Sequence, residues 1–411
     1  MHQWVSRNKD SMLRKTMPAK DPIRPEIRAL DLTGITKVSM LGLDKGQVLP
    51  LWFGETDLLT PAFIRDAATA ALEGGKTFYT FAQGIAPLRQ GIAEFVGRTT
   101  ATEIEVGRVT VPGAAMLGVV SALQSVIESG DNIVIVSPIW PNIFQAAKIA
   151  GAIPRLVRLE EDWNSGRWHL DLQKLVDACD GRTKALFICS PGNPTGWMAS
   201  AEEQKQILDF ARARGIAIIS DEVYGTLVYD GTAHAPSMLS LAEPDDALFV
   251  IGSFSKPWAM TGWRIGWVIH PRSLQIPFAV MAQANNTGAT HFAQYGALAA
   301  LSPEGEEFRR HLLARCAKGR EVVSAFLEGQ NRIRWLKPDG AFYGFLKVEG
   351  LTDSLKFAQG MVREFKVGVS PGAAFSLGDP KDDSWLRICF AQDAARLAEG
   401  LDRIAQAVKK I

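Results

Sequence analysis

The chain has 411 residues, 45 Lys and Arg against 44 Asp and Glu, a formal charge of +1 at pH 7, and 47% hydrophobic residues. That composition excludes wholesale disorder and a collagenous chain. The charge balance supplies no overall field for drawing in nucleic acid or an anionic membrane, so neither is expected as a partner. At roughly 150 residues per domain the length predicts two or three domains.

The longest apolar stretch, residues 114–127, is broken by Ser121, Gln124 and Ser125 and is too short for a bilayer span, which takes about 20 residues. Cys179, Cys189, Cys316 and Cys389 are far apart, with no C-x-x-C and no Cys/His cluster at zinc spacing. They read as reduced core residues of a cytoplasmic protein. Residues 1–25 carry charges of both signs but no continuous apolar segment or cleavage site, and are expected to be a poorly ordered extension.

In chain order, apolar runs of strand length bounded by turn signals fall at Val109–Val111, Asn132–Ser137, Ile153–Leu159, Lys184–Ser190, Ile216–Ser220, Leu248–Ser253 and Ile265–His270. Helical spacing separates most of them, at Ala114–Ser129, Ile143–Ala150, Leu170–Cys179 and Ser200–Arg214. Such alternation predicts an α/β fold with a mostly parallel, buried sheet covered by helices on both faces. After about Ala289 the pattern becomes a long helical stretch from Phe292 to Leu327, strand-like pieces at Ile333–Trp335, Ala341–Val348 and Trp385–Phe390, and helices at Ser354–Phe365 and Ala394–Lys410. This reads as a second, smaller α+β domain. The expected division is a segment 26–55 packing with the small domain, a large domain 56–290 and a small C-terminal domain 291–411.

Ligands of open α/β sheets bind beyond the carboxyl ends of the strands, so the residues that follow each run are the candidates. Lys256 follows the sixth run; it is either a lysine that reaches the surface or a desolvated amine suited to Schiff-base formation. Arg264, between two glycines, suits a phosphate or an interdomain ion pair. Asp221 and Tyr224 end the fifth run, where the carboxylate is either a helix cap or the partner of a protonated ring nitrogen. Gly113, Ala114 and Ala115 open a helix whose N–H groups can hold an anion. Trp140 is core or a stacking plate. Together these parts describe one ligand, a phosphorylated aromatic aldehyde with a basic ring nitrogen.

The motifs Ser190-Pro-Gly-Asn-Pro-Thr-Gly196, Asp221-Glu-Val-Tyr224 and Ser253-Phe-Ser-Lys-Pro-Trp-Ala-Met-Thr-Gly-Trp-Arg-Ile-Gly-Trp267, in this order and spacing, resemble the fold type I pyridoxal 5'-phosphate (PLP) enzymes. The likeness is closest to the class I/II aminotransferases of the aspartate aminotransferase type and runs from about Leu51 to the C-terminus. It takes in Tyr79 to Arg89, Gly130 to Val134 and Trp385 to Phe390. The resemblance implies a PLP-dependent transaminase working by a ping-pong route on an amino acid and a 2-oxo acid. Lys256 would be the Schiff-base lysine and general acid/base, Asp221 the partner of the ring nitrogen, and Tyr224 and Asn193 the partners of the 3'-oxygen. Trp140 would stack on the ring, and Ser253, Ser255, Arg264 and the Gly113/Ala114 backbone would hold the phosphate. Arg387 would receive the substrate α-carboxylate, with Asn193, Trp140 and the Gly54 backbone beside it. Tyr79 would reach the phosphate of a second subunit, implying a homodimer with shared active sites.

The chain departs from the family pattern in places. Pro257 and Trp258 replace smaller residues after the lysine, Ala115 replaces a polar one, and the loop Gln283 to His291 lacks the arginine by which some members take dicarboxylates. Trp52, Phe53, Ile139 and Ile143 are expected to flank the pocket or to be core; as pocket walls they favour apolar or aromatic donors. The same residue set also serves a C–S β-lyase or a cyclopropane-forming synthase, because all begin with the same carbanion. A PLP-binding transcription regulator is disfavoured, since the roughly 50 residues before the first motif show no helix-turn-helix pattern.

Overall fold

The structure, a computed structural model, describes residues 22–42 and 46–411. Most of the extension expected over 1–25, and residues 43–45 of the segment 26–55, lie outside the described residues. The chain separates into two units, Met1–Asp31 and Leu32–Ile411. The described part of the first holds one short helix, Pro25–Arg28. The second carries both main sheets.

Seven strands, Val109–Gly113 (β1), Asn132–Ser137 (β2), Ile153–Arg158 (β3), Thr183–Cys189 (β4), Ala217–Asp221 (β5), Leu248–Ser253 (β6) and Gly266–Ile269 (β7), form one sheet in the order β1-β7-β6-β5-β4-β2-β3. The seven predicted runs are these seven strands. Every pairing is parallel except those of β7, which runs antiparallel to both β1 and β6.

The runs are continuously apolar because the sheet is buried on both faces. Along β2, Ile133 and Ile135 enter one core with Phe187, Ile219 and Phe249, while Val134 and Val136 enter a second with Leu186, Ile218 and Val250. Helices Ala115–Val126, Asn142–Ala150 and Gln275–Asn286 supply Val119, Ile143 and Phe278 to the first core. Helices Ala86–Thr100, Ala201–Arg214 and His291–Ala300 supply Ile92, Ile207 and Ala297 to the second.

The single helical stretch expected over 292–327 is two helices, His291–Ala300 and Pro303–Glu328. The break has a local cause: Ser302 accepts a hydrogen bond from the Gly305 N–H, and Pro303 at the first helical position cannot donate back into a preceding turn. Behind it lies an antiparallel sheet of Ile333–Trp335 (β8), Tyr343–Val348 (β9), Ser370–Pro371 (β10) and Trp385–Cys389 (β11), ordered β8-β9-β11-β10. Leu312 and Val323 of the helix Pro303–Glu328 and Leu401 and Ile404 of the helix Ala394–Val408 back it. Leu49–Pro50 pairs in parallel with Val367–Gly368, which delivers Trp52, Phe53 and Gly54 to the seam between the two sheets. The fold is therefore α/β, with a large seven-stranded, mostly parallel portion and a smaller α+β portion.

Parallel pairing brings the carboxyl ends of β1, β2, β4, β5 and β6 to one edge. The reversed β7 begins at that edge: Gly266 is opposite Gly113 on one side and Ser253 on the other. Gly266 has no room for a side chain, since an added Cβ would lie 2.7 Å from the Gly252 carbonyl oxygen and 2.8 Å from the Ala115 nitrogen. Close backbone approach here sets Arg264, two residues before β7, beside the ends of β1 and β6.

Candidate active site

A cavity of about 220 Å³ opens at this edge, lined among others by Gly54, Trp140, Asn193, Asp221, Tyr224, Ser253, Ser255, Lys256, Arg264 and Arg387. Ten of the residues named from sequence thus meet in one place. Gly113 lies at the end of β1 and Ala114 caps the helix Ala115–Val126, whose Ala115 and Met116 line the wall.

Lys256 is partly exposed, into the cavity, and its Nζ donates to the Gly54 carbonyl at 2.6 Å. Desolvation by the surrounding protein lowers its pKa to about 8, with the Arg387 and Arg264 guanidiniums acting in the same direction. Asp221 ends β5 and is 8% exposed. Burial pushes its pKa up to about 6, against the opposing pull of the Val223 N–H and of Lys256. The one hydrogen bond of its carboxylate among the described residues is a long one, accepted from Val223 N–H at 3.3 Å. A carboxylate so placed is poorly compensated and calls for a cationic donor on the cavity side.

At the far side, Arg387 in β11 is 2% exposed and held on three acceptors. It donates to Asn193 Oδ1 at 3.0 Å, to Ser370 Oγ at 3.0 Å, and to the Trp52 carbonyl. Its guanidinium also sits 4.6 Å from the centre of the Tyr343 ring and 5.2 Å from that of Phe375. The Nε–H remains buried without a hydrogen-bond partner among the described residues. Two adjacent aromatic rings and anchored edges fix the plane of the fork, which is what recognition of a planar carboxylate requires.

Another part of the cavity wall presents groups that can hold an anion. The helix Ala115–Val126 starts at Ala114 with no side-chain cap, so its first N–H groups are free of intrahelical partners. Gly113 stands at φ +111, a conformation suited to glycine, and turns the chain from β1 into that helix. Ser253 Oγ accepts from the Ser255 N–H at 3.1 Å, and Arg264, in a left-handed conformation at φ +57, is exposed with one N–H on the Thr261 carbonyl at 2.6 Å.

Sequence reasoning missed Tyr343, Ser370 and Phe375, which hold Arg387 or line the cavity. Of the four residues expected to flank the pocket or to be core, Phe53 lines the cavity, whereas Trp52, Ile139 and Ile143 are no more than 2% exposed and belong to the core. Tyr79 lies outside the cavity of its own chain and is 89% exposed.

Over residues 46–404 the chain matches the family model for aminotransferase class I and II. It is 34% identical over 386 residues, 92% of this chain and 96% of the relative, to a protein of Aquifex aeolicus described as a probable aspartate/prephenate aminotransferase. The solved structure of aspartate aminotransferase from Thermotoga maritima superposes with a TM-score of 0.83 at 31% identity, covering 93% of this chain and 99% of that one. An aromatic aminotransferase from Pyrococcus horikoshii superposes with a TM-score of 0.81 at 30% identity, covering 92% and 99%. These likenesses favour amino-group transfer over elimination or ring formation. The chain belongs to the class I and II aminotransferases and is a transaminase.

Proposed function

We propose that the cavity holds pyridoxal 5'-phosphate, and that the chain moves the amino group of an L-amino acid with a neutral side chain to a 2-oxo acid. The observation that carries the reading is the buried, under-bonded Asp221 carboxylate in the same cavity as an amine of lowered pKa. A protonated pyridine nitrogen is the cation that such a carboxylate fits, and an aldehyde is the electrophile that such an amine fits. The free N–H groups at Ala115 and Met116, with Ser253, Ser255 and Arg264, fit a phosphate. Tyr224 and Asn193 would meet the ring's 3'-oxygen, and Trp140 its face.

When bound, the cofactor supplies an aldehyde carbon that carries the amino group and a protonated ring that withdraws the electron pair left at the substrate Cα. The protein does the rest. Arg387 binds the α-carboxylate, with Asn193 and the Gly54 backbone beside it, and so fixes the Cα–H bond toward Lys256. Asp221 would hold the proton on the ring nitrogen. Lys256 Nζ would take the proton from Cα and return it on the cofactor side, with the 2-oxo acid leaving by hydrolysis; a second 2-oxo acid would reverse the sequence.

The substrate class follows from the cavity's charges. Lys256, Arg264 and Arg387 are its lining cations among the described residues, and each has a role above. The remaining wall includes Ile35, Phe53 and Met116, which suits an apolar or aromatic side chain.

The second subunit is part of the same reading. Tyr79 is flanked by Phe78 and Phe81, all about 80–90% exposed, an apolar patch on a chain that otherwise buries its aromatics well. We infer a homodimer in which Tyr79 completes the phosphate site of the partner. The domain division at 56–290 and 291–411 is retained as a proposal with one amendment: the helix His291–Ala300 packs into the second core of the large portion, so the hinge belongs near Ser302. Among the described residues no helix is long and apolar enough to cross a membrane, and all four cysteines are free, which supports a reducing, cytoplasmic setting.

The test is a half-reaction. PLP-loaded protein given phenylalanine, leucine or methionine without an acceptor should release one 2-oxo acid per active site and stop. Continuous release of pyruvate and ammonia from a suitable amino acid would replace transamination by elimination.

A further inference from the structure

Tyr343 opens β9 and, beyond its contact with Arg387, has no part in the assignments above. Its side chain is 1% exposed, yet it touches the site from three directions. Its hydroxyl lies 2.6 Å from that of Tyr224, with the two rings edge to face. Its ring lies under the Arg387 guanidinium, and its hydroxyl fills the space where a side chain at residue 54 would be: an added Cβ at Gly54 would sit 1.9 Å from it. Gly54 is also the residue whose carbonyl receives Lys256 Nζ.

Two hydroxyls 2.6 Å apart share one O–H···O bond, so one proton is spent on the pair and one remains. Among the described residues the Tyr343 hydroxyl pairs with Tyr224. With the Tyr343 proton on the Tyr224 oxygen, the Tyr224 proton is released to point into the cavity. The reverse arrangement would leave Tyr224 with nothing to donate there. Both phenols are held well above their ordinary pKa, chiefly by burial, so both stay protonated across the working pH range. The ionisable groups facing the pair are Arg387 and Cys389 of β11, Cys189 of β4, Asp221 of β5 and Lys256, whose Nζ lies 5.9 Å from the centre of the Tyr224 ring.

We propose that Tyr343 is a positioning residue: it aims the Tyr224 proton at the oxygen of the bound ring and, through its face, holds Arg387 in register with that ring. The inference rests on the cofactor reading above. Through it, the carboxylate clamp and the cofactor oxygen share one support in the smaller portion of the fold.

The test uses Tyr343→Phe, which keeps the ring beneath Arg387 and removes only the hydroxyl. PLP-loaded wild type and variant are titrated by visible absorbance. A donor to the ring oxygen stabilises its deprotonated state, so weakening that donor raises the midpoint of the spectral transition, here by about half a unit to one unit. Tyr224→Phe is expected to raise it further, and the double variant to match Tyr224→Phe alone, because Tyr343 acts through Tyr224. A residue that only packs would lower the melting temperature and leave the midpoint in place. An unmoved midpoint in Tyr343→Phe, or shifts that add in the double variant, would overturn the proposal while the cofactor reading stands. Absence of any visible band in the wild type with PLP would overturn both.

Discussion

Lys256 Nζ donates to the carbonyl of Gly54 at 2.6 Å, across 202 positions of sequence. The contact ties the strand-end loop that carries the amine to the segment that Leu49–Pro50 fastens onto Val367–Gly368 of the smaller portion. The amine is thereby held in the cavity by one backbone acceptor, and it pays for that placement in desolvation.

The lowered pKa of Lys256 has two consequences for the cofactor-free protein. The neutral amine is the nucleophile, so the rate at which a visible band forms on adding PLP should rise with pH, with a midpoint near the lysine's value of about 8, and then level off. Stopped-flow absorbance across that range checks it. Between about 8 and the ordinary 10.5, the unfolded chain binds the proton that the folded chain has lost, so this group makes stability rise with pH. Lys256→Met should flatten that rise in denaturant titrations.

Asp221 has the opposite sign. Its raised pKa, about 6 against 3.8, means the folded, cofactor-free protein retains a proton that the unfolded chain loses, and stability falls as pH climbs through that window. Asp221→Asn should reduce the fall and leave the part contributed by buried Glu222, whose pKa burial raises to about 7. In the loaded enzyme the same substitution removes the charge that keeps the ring nitrogen protonated, and the half-reaction should slow by about a hundredfold or more. Single-turnover rates measure it.

Arg387→Lys replaces a planar fork by a point charge that cannot satisfy Asn193, Ser370 and the Trp52 carbonyl together with a substrate. Loss of one or two charge-assisted bonds corresponds to a rise in KM for the amino acid of about ten- to a thousandfold. The visible spectrum of the variant should stay that of the wild type, since the arginine serves the substrate.

Tyr79 gives the prediction for assembly. Tyr79→Phe should weaken PLP retention, and mixing that chain with the inactive Lys256→Ala chain should raise activity, because each mixed dimer then has one site with Lys256 from one chain and Tyr79 from the other. Activity that only falls in proportion to dilution would place Tyr79 outside the site.

The fold was legible in the sequence because a doubly covered parallel sheet leaves continuous β-branched runs, such as Asn132–Ser137, ended by turn residues. The proposed cofactor wall was legible for a related reason: Asp221, Ser253 and Gly113 stand at strand ends, where local sequence announces them. The support of Arg387 was not. Tyr343, Ser370 and Phe375 come from separate elements of the smaller portion, sit in ordinary apolar contexts, and gain meaning only when β9, β10 and β11 pair. Trp52, Ile139 and Ile143 near the motifs turned out to be packing rather than pocket wall, since proximity in sequence does not say which way a side chain faces. The break at Ser302 could have been read from Ser-Pro followed by acidic residues, a helix start inside a helical pattern.

The central claim is tested most directly by the visible absorbance of the purified protein with PLP, followed by single amino acids without an acceptor, with Lys256→Ala alongside. The account predicts a visible band in the wild type that bleaches to the amine form of the cofactor, faster with phenylalanine, leucine or methionine than with aspartate, and no such conversion in Lys256→Ala. A wild type that forms no band, or a band that aspartate bleaches fastest, would contradict it, the first striking at the cofactor site and the second at the neutral pocket.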